Sequence, residues 1–369
     1  MFQIRDIIPT DLAEVYTFTR ILYQYHSNVT SEGLLGDSEF IEIFTQGYLH
    51  GLLLTTSETD PSQNNQQKTV RKSRMIGFMI YHPTVSTVRG QGIYLGQFFL
   101  LPEFRRRGLG KRMMSRLCQI GLSNRKTHIK LICQEGLEAE KVYEKLGFVN
   151  NTKLSPGLRL FQAFGRSDWC KMLDEGKKFE KNFNENGQFD PFMQLVIHSE
   201  ALNKSDWPRW TALKVASLSN QNNRGKHVTP PTPQLVLITD RKLGESEQST
   251  STVDVTDGHM MCTFTEQLQV CSWTGPLILF SDFMGNTSAL RPELLYNRVR
   301  EWLKIEPNLR GAYWEVPCGT ECREEPSTTL LTRFLNQLNV IDGSEQEGWN
   351  IWYLGESGMR HLAGLFSTD

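Results

Sequence analysis

The sequence predicts an α/β fold with mixed (α+β) sheets, present twice in tandem. Three observations point to it. Strand and helix patterns alternate along the chain, and the same order of elements recurs in the second half. The 369 residues exceed one ordinary domain and suit two. The halves also differ in character: residues 1–170 hold 21 Lys and Arg against 15 Asp and Glu, net +6, whereas the remainder holds 19 against 26, net −7. Of the eight Trp, Trp169 alone lies in the first 170 residues. The overall charge of −1 argues against a general polyanion binder and conceals this asymmetry.

The elements follow in order. Phe2-Gln3-Ile4-Arg5 alternates as a half-buried strand does. Asp11 and Glu14 have capping-box spacing ahead of a helix from Leu12 to Tyr25. Residues 55–74 form a solvated loop. Met75–Tyr81 and Ile93–Leu101 are strands, the second with a continuous apolar end suited to burial on both faces. Gly108–Ile120 is an amphipathic helix, Ile129–Cys133 a strand, and Ala139–Leu146 a short helix stopped by Gly147. Leu158–Phe161 closes the first module as its last strand. The first domain is placed at 1–172, a linker at 173–191 and the second domain at 192–369.

Composition excludes several classes. No apolar run reaches the roughly 20 residues of a membrane helix, so no membrane partner is expected. Met1–Asp6 has no basic-then-apolar leader pattern, and seven scattered Cys read as reduced thiols. A cytoplasmic or nuclear protein is expected. Cys318 and Cys322 are the close Cys pair, without the second pair or His that zinc wants, so no metal is assigned. The basic cluster is short and lacks interleaved aromatics, which argues against nucleic acid.

The sharpest motif is Arg105-Arg106-Arg107-Gly108-Leu109-Gly110-Lys111, between a buried strand and a helix. Glycines allow close backbone approach, the helix N-terminus offers unpaired N–H groups, and the flanking cations attract an anion. The bland alternative is a basic surface turn. A Walker loop fails because Arg112 follows Lys111, and a dinucleotide fingerprint fails because Met113 replaces its third Gly.

Together with Tyr143-Glu144-Lys145-Leu146-Gly147-Phe148 downstream, this loop makes residues 1 to about 170 resemble the GNAT superfamily of acyl-CoA-dependent N-acetyltransferases. The similarity is closest to the diamine (spermidine/spermine) and thialysine acetyltransferases, through Ile76–Tyr81, Tyr94-Leu95, Phe98-Phe99 and Leu158–Phe161. The resemblance implies acetyl-CoA as co-substrate, held in a gap between two parallel strands. Its pyrophosphate would lie on the N–H groups of Arg107 to Lys111, with Phe99, Leu100, Arg105 and Arg106 also counted among the residues that bind the co-substrate. It also implies Tyr143 as the acid that protonates the leaving thiolate; the alternative is a helix Tyr packed beside Leu146 and Phe148. An amine must first lose a proton, and the reaction needs an N–H donor for the developing oxyanion, for which a main-chain group near Phe99 is suited.

One departure bears on the acceptor. The polyamine enzymes carry Glu-Asp after Tyr-Leu in the central strand, where this chain has Gly96 and Gln97, and His26 follows Tyr25 where that family has an acidic residue. Losing these anions removes attraction for a polycation. Tyr25, His26, Gly96 and Gln97 are therefore candidate acceptor-binding residues, for an amine other than a polyamine or for a protein acceptor.

In the second half, Met193–His198, Pro276–Phe283, Gly311–Val316 and Trp349–Leu354 read as strands. Ser205-Asp206-Trp207-Pro208 starts a helix, and Pro292–Leu303 and Thr328–Leu338 are helices. Residues 216–233 and 243–258 read as long polar loops. Gly285–Pro292 stands where the phosphate loop would be, without Gly-x-Gly or basic cluster. The expectation is thus a tandem of GNAT-like acyl-CoA N-acyltransferase folds whose degenerate second copy mimics a homodimer partner or binds another protein. The activity expected is acetyl transfer to an amine by the first domain; the rival is a non-catalytic acetyl-CoA-binding scaffold.

Overall fold

The computed structural model describes residues 2–24, 34–57, 73–154, 157–164, 166–186, 193–198, 234–239, 260–285, 292–318 and 326–366. The first half runs β1 (Phe2–Asp6), α1 (Leu12–Tyr23), α2 (Asp37–Thr45), β2 (His50–Ser57), β3 (Ser73–Ser86), β4 (Gly90–Leu100), α3 (Leu109–Ser123), β5 (His128–Gln134), α4 (Glu138–Lys145), β6 (Val149–Asn150), β7 (Gly157–Phe164) and α5 (Arg166–Asn186). The second half runs β8 (Met193–His198), β9 (Gln234–Thr239), β10 (Met260–Cys271), β11 (Gly275–Gly285), α6 (Pro292–Ile305), β12 (Gly311–Cys318), α7 (Pro326–Gln337), β13 (Ile341–Asp342), α8 (Gly343–Gln346), β14 (Trp349–Gly355) and α9 (Glu356–Gly364). The helix start expected at Ser205, the loops at 216–233 and 243–258, and most of Gly285–Pro292 lie outside the described residues.

The strands form two mixed seven-stranded sheets, ordered β1-β2-β3-β4-β5-β14-β6 and β13-β7-β12-β11-β10-β9-β8. The tandem repeat is present, with one exchange. The last strand of each half closes the sheet of the other: β7 pairs antiparallel with β12 from Gly157↔Cys318 to Phe164↔Gly311, and β14 pairs with β5 from Trp349↔Gln134 to Gly355↔His128. Leu158–Phe161 is thus a strand as expected, but it completes the second sheet. Helix α5 then runs through much of the segment placed as a linker.

Both halves share a backbone device. Strands β4 and β5 pair in parallel over Gly92↔His128, Ile93↔Ile129 and Tyr94↔Lys130, and β11 and β12 over Ile278↔Ala312, Leu279↔Tyr313 and Phe280↔Trp314. Past those three pairs the strands part. Each central strand also carries an irregularity there. Gly96 is the extra residue between the Gln97↔Ile80 and Leu95↔Tyr81 pairs, and in β11 Asp282 and Phe283 oppose Phe264. A bulge bends its strand and redirects the side chains after it. Asp282 takes φ +54 at the position matching Gly96.

Helix α3 covers the first sheet, burying Met113, Met114, Leu117 and Cys118 against Ile93, Ile129, Leu131 and Trp352. In the second half Phe264, Phe280, Leu295, Val299, Trp302 and Trp314 form the corresponding core. The sheets meet along a seam where Lys130 pairs with Glu315, both almost fully buried. Gln267 bridges the backbone N–H of Val85 (3.0 Å) and Thr84 Oγ1 (2.8 Å), and Asp282 accepts from Ser86 Oγ (2.9 Å) and the Thr87 N–H (2.8 Å).

The capping box read at Asp11 and Glu14 does not form. Asp11 turns back to accept from the Ile8 N–H (2.9 Å) and from Arg5 (2.6 and 2.8 Å), closing the turn before α1 instead. Among the described residues no helix is long and apolar enough to cross a membrane, and no His, Cys, Asp and Glu group suits a metal ion.

Candidate active site

The parting of β4 from β5 opens a cavity of about 1100 Å³. One end is the loop before α3. Gly108 is the N-cap of α3 at φ +76, a left-handed conformation that favours Gly, and Arg106 also has positive φ. The first intrahelical bond is Arg112 N–H to Gly108 O (3.0 Å), so the N–H groups just before it belong to the unpaired first turn. No side chain caps them, and the first turn holds no acidic residue. A Cβ on Gly110 would come within 3.2 Å of the Phe98 ring, so the helix start lies close against β4. These features suit a phosphate-bearing ligand.

Of the residues expected here, Phe99, Leu100, Arg105, Arg106, Gly108, Gly110 and Lys111 line the cavity. Arg105 is held by an Nε–H bond to Leu100 O (2.9 Å). Arg107 and Leu109 do not line it: Arg107 lies over the Phe104 ring (5.4 Å), and the Leu109 side chain is buried in the α3 core. Helical phase turns Leu109 into the core, and Arg107, ahead of the N-cap Gly108, turns onto Phe104 instead of into the cavity.

Tyr143 lines the cavity from α4. Its ring packs edge-on to Phe148 (5.5 Å) and beside Trp352 (6.4 Å), so the packing reading also holds. Burial, with a smaller contribution from Cys133, pushes its phenol above the usual range, so it keeps its proton at neutral pH. Gly96 and Gln97 line the cavity too. Gln97 is buried, its Oε1 accepting from Thr19 Oγ1 (2.9 Å) while its Nε2 has no partner. Tyr25 and His26 lie outside the described residues.

Sequence reasoning missed the rest of the wall. The second half sends the β10–β11 hairpin, residues Gln269 to Thr274, and Tyr313 of β12 into the lining; the exchanged strands add Gln162 and Trp349. The hairpin tip is seated on the first half: the Leu35 N–H donates to Trp273 O (2.7 Å), Tyr23 meets the Trp273 ring edge-on (5.8 Å), and Arg310 pairs with Glu39. The alternation Thr265, Gln267, Gln269 against Phe264, Leu268, Val270 was the available signal for β10. His82 was also missed. Its ring stacks on Tyr94 (4.9 Å), its Nδ1 lies 2.9 Å from Pro83 O, and burial pushes its pKa down to about 4, so it is neutral at pH 7.

The first half is similar in sequence to known acetyltransferases. Residues 45–148 match the acetyltransferase (GNAT) family. Thialysine N-epsilon-acetyltransferase of Bos taurus is 26% identical over 94 residues, which is 25% of this chain and 55% of that protein. The chain thus spans about half the length of that curated relative. Among solved structures, a tandem GNAT protein from the clavulanic acid biosynthesis pathway aligns over 96% of this chain and 99% of its own, at 10% identity and a TM-score of 0.43. Arabidopsis thaliana NAA60 in complex with acetyl-CoA aligns over 44% and 89%, at 15% identity and a TM-score of 0.31. The family match at residues 45–148 takes in the Gly108 loop, β5 and Tyr143 of α4.

Proposed function

We propose that this chain transfers an acetyl group from acetyl-CoA to an amine acceptor in the cavity of its first half, with the second half supplying the opposite wall. The observation that carries this reading is the opening of the Gly108-capped start of α3 onto the same cavity that Tyr143 lines. Bound acetyl-CoA would supply a thioester carbonyl for the amine to attack. The loop N–H groups would hold its pyrophosphate, with Arg105, Arg106 and Lys111 adding attraction. The protonated Tyr143 hydroxyl would hold the proton needed as the C–S bond breaks. The seated β10–β11 hairpin would keep water from the acceptor end, standing where the partner subunit of a homodimer would stand.

A second reading, an acetyl-CoA-binding scaffold without turnover, is favoured by the missing carboxylate pair at Gly96 and Gln97. Calorimetry with acetyl-CoA beside a thiol-release assay over an amine panel separates the two. Gly108→Glu places a carboxylate on the phosphate path at a left-handed position and is expected to weaken acetyl-CoA binding about 100-fold or more. Unchanged affinity in that variant would overturn the cradle. Cys118, Cys133, Cys170 and Cys271 are free thiols, and on this ground we place the protein in a reducing compartment such as the cytosol.

A further inference from the structure

We infer that the acceptor is a small, primary amine whose body is uncharged and carries a carbonyl or hydroxyl oxygen, held by the side-chain amides of Gln97 and Gln269. The inference rests on the acetyl-transfer reading and concerns the other end of the same cavity.

The lining is divided by charge. The cations Arg105, Arg106, Lys111, Lys141 and Lys145 belong to the α3 loop and to α4, and Glu138 lies with them, 3.8 Å from Arg106. Toward the seam the lining is Tyr94, Gln97, Gln269, Trp273, Tyr313 and Trp349. No carboxylate stands among these lining groups. The acids behind this lining are committed: Glu315 to Lys130 at the seam, and Glu347 to Gln162 and to the Trp349 Nε1–H (2.9 Å). A polyamine entering here would lose its hydration at each ammonium with no uncommitted carboxylate in the lining to replace it, whereas one amine that enters as the free base meets no such barrier.

The two glutamines state what this end wants instead. Gln97 on β4 is 2% exposed and Gln269 on β10 is 3% exposed, and the Nε2 of each is buried without a hydrogen-bond partner. Buried amide groups are nearly always paired, because an unpaired one forfeits its hydrogen bonds to water. Two of them on two walls of one cavity suit a ligand oxygen that accepts from both sides. The aromatic rings in the same lining suit a flat, apolar body. The wall that carries Gln269 is tied to α1 and to Leu35 through Trp273, which limits the end to a small molecule.

The test is a thiol-release assay with four probes: phenylalaninamide, phenethylamine, spermidine and a tetrapeptide with a free N-terminus. Phenylalaninamide is expected to exceed spermidine in kcat/KM by at least about 10-fold. Its advantage over phenethylamine, which has the ring and the amine without the carbonyl, should shrink about 10-fold in Gln97→Met and in Gln269→Met. Gln269→Met guards against a fold defect from losing the Thr19 bond at Gln97. Acetyl-CoA affinity by calorimetry is read in parallel and should stay within about twofold of wild type in both variants. A preference for spermidine or for the tetrapeptide overturns the inference, as does a ratio unmoved by both substitutions. Acetyl-CoA binding with no turnover of any probe also overturns it and leaves the cofactor cradle standing. Absence of acetyl-CoA binding sinks the acetyl-transfer reading itself.

Discussion

Strands β4 and β5 in the first half and β11 and β12 in the second have the same three-pair parallel register, yet the residues at those pairs trade places in size. Gly92 faces His128 in the first half; Ile278 faces Ala312 in the second. A Cβ on Gly92 would run into the His128 ring, so the missing side chain makes room for the imidazole. Two positions on, Tyr94 faces Lys130, whose Nζ lies 5.9 Å from the Tyr94 ring; the counterparts are Phe280 and Trp314, stacked nearly flat at 5.3 Å. The helix after the gap differs too. Helix α3 begins at a left-handed Gly beside a cavity, whereas α6 drives Leu295, Tyr296, Val299 and Trp302 into a core. One backbone therefore opens into a cavity where its pairs are polar and its loop glycine-rich. It serves as a packed support where they are aromatic. Two of the ion pairs are almost fully buried. Glu266 with Arg298 and Trp302 lies wholly inside the second half, and Lys130 with Glu315 joins the two halves.

The largest expected effect comes from breaking the joining pair. Lys130→Met leaves Glu315 buried without its cation, and burial already pushes that carboxyl above its usual range. A loss of about 3–5 kcal/mol is expected in urea unfolding. Adding Glu315→Leu to Lys130→Met should recover most of that loss, because removing both charges removes the desolvation cost as well. Costs that simply add would mean that the two residues act independently and that the seam is held elsewhere.

Much of this comparison was legible in the sequence. The order of elements, the Arg-Gly loop and the helix ending at Gly147 all rest on local pattern, which a single segment can carry. The exchange of β7 and β14 was not legible. Leu158–Phe161 and Trp349–Leu354 are both apolar strands. Apolar pattern says which strand is buried and leaves open which sheet it joins. The second half's share of the site was hidden for the same reason. Gln269 and Tyr313 read as ordinary strand residues, and only the seam brings them to a cavity whose other wall, from Gly96 to Leu146, lies more than about 120 residues earlier in the chain. The capping box at Asp11 and Glu14 failed because a nearer cation, Arg5, claimed the carboxylate.

The next effect separates chemistry from packing in the first half. Tyr143→Phe keeps the ring against Phe148 and Trp352 and removes only the hydroxyl. If Tyr143 supplies a proton, kcat falls about 100-fold while acetyl-CoA affinity stays within about twofold. The pH profile sharpens this. Burial holds the Tyr143 proton beyond its usual range, so no alkaline fall in rate below pH 10 should arise from this residue. A Phe variant that keeps full kcat would reduce Tyr143 to a packing residue and make the two halves alike in that respect.

The smallest effect returns to the Gly92–His128 pair. Burial, with the positive charges of Lys130 and Arg89 adding to it, pushes His128 down to about 3 in the folded protein. The unfolded chain takes up that proton near pH 6.5. On acidification the unfolded state therefore gains protons first, and the folded state loses relative stability. The contribution is fully present above pH 6.5 and is lost as pH falls from there toward 3, with a slope of at most about 1.4 kcal/mol per pH unit. His82, pushed down to about 4, adds to the same trend. In His128→Asn the urea midpoint should fall less steeply between pH 6.5 and pH 4.5 than in wild type. Ala312, in the matching position of the second half, has no titratable group, so the acid sensitivity belongs to the half that keeps the cleft. An unchanged slope in His128→Asn would mean that the imidazole reaches solvent. The space left by Gly92 would then be a hydrated opening rather than a socket for a neutral ring.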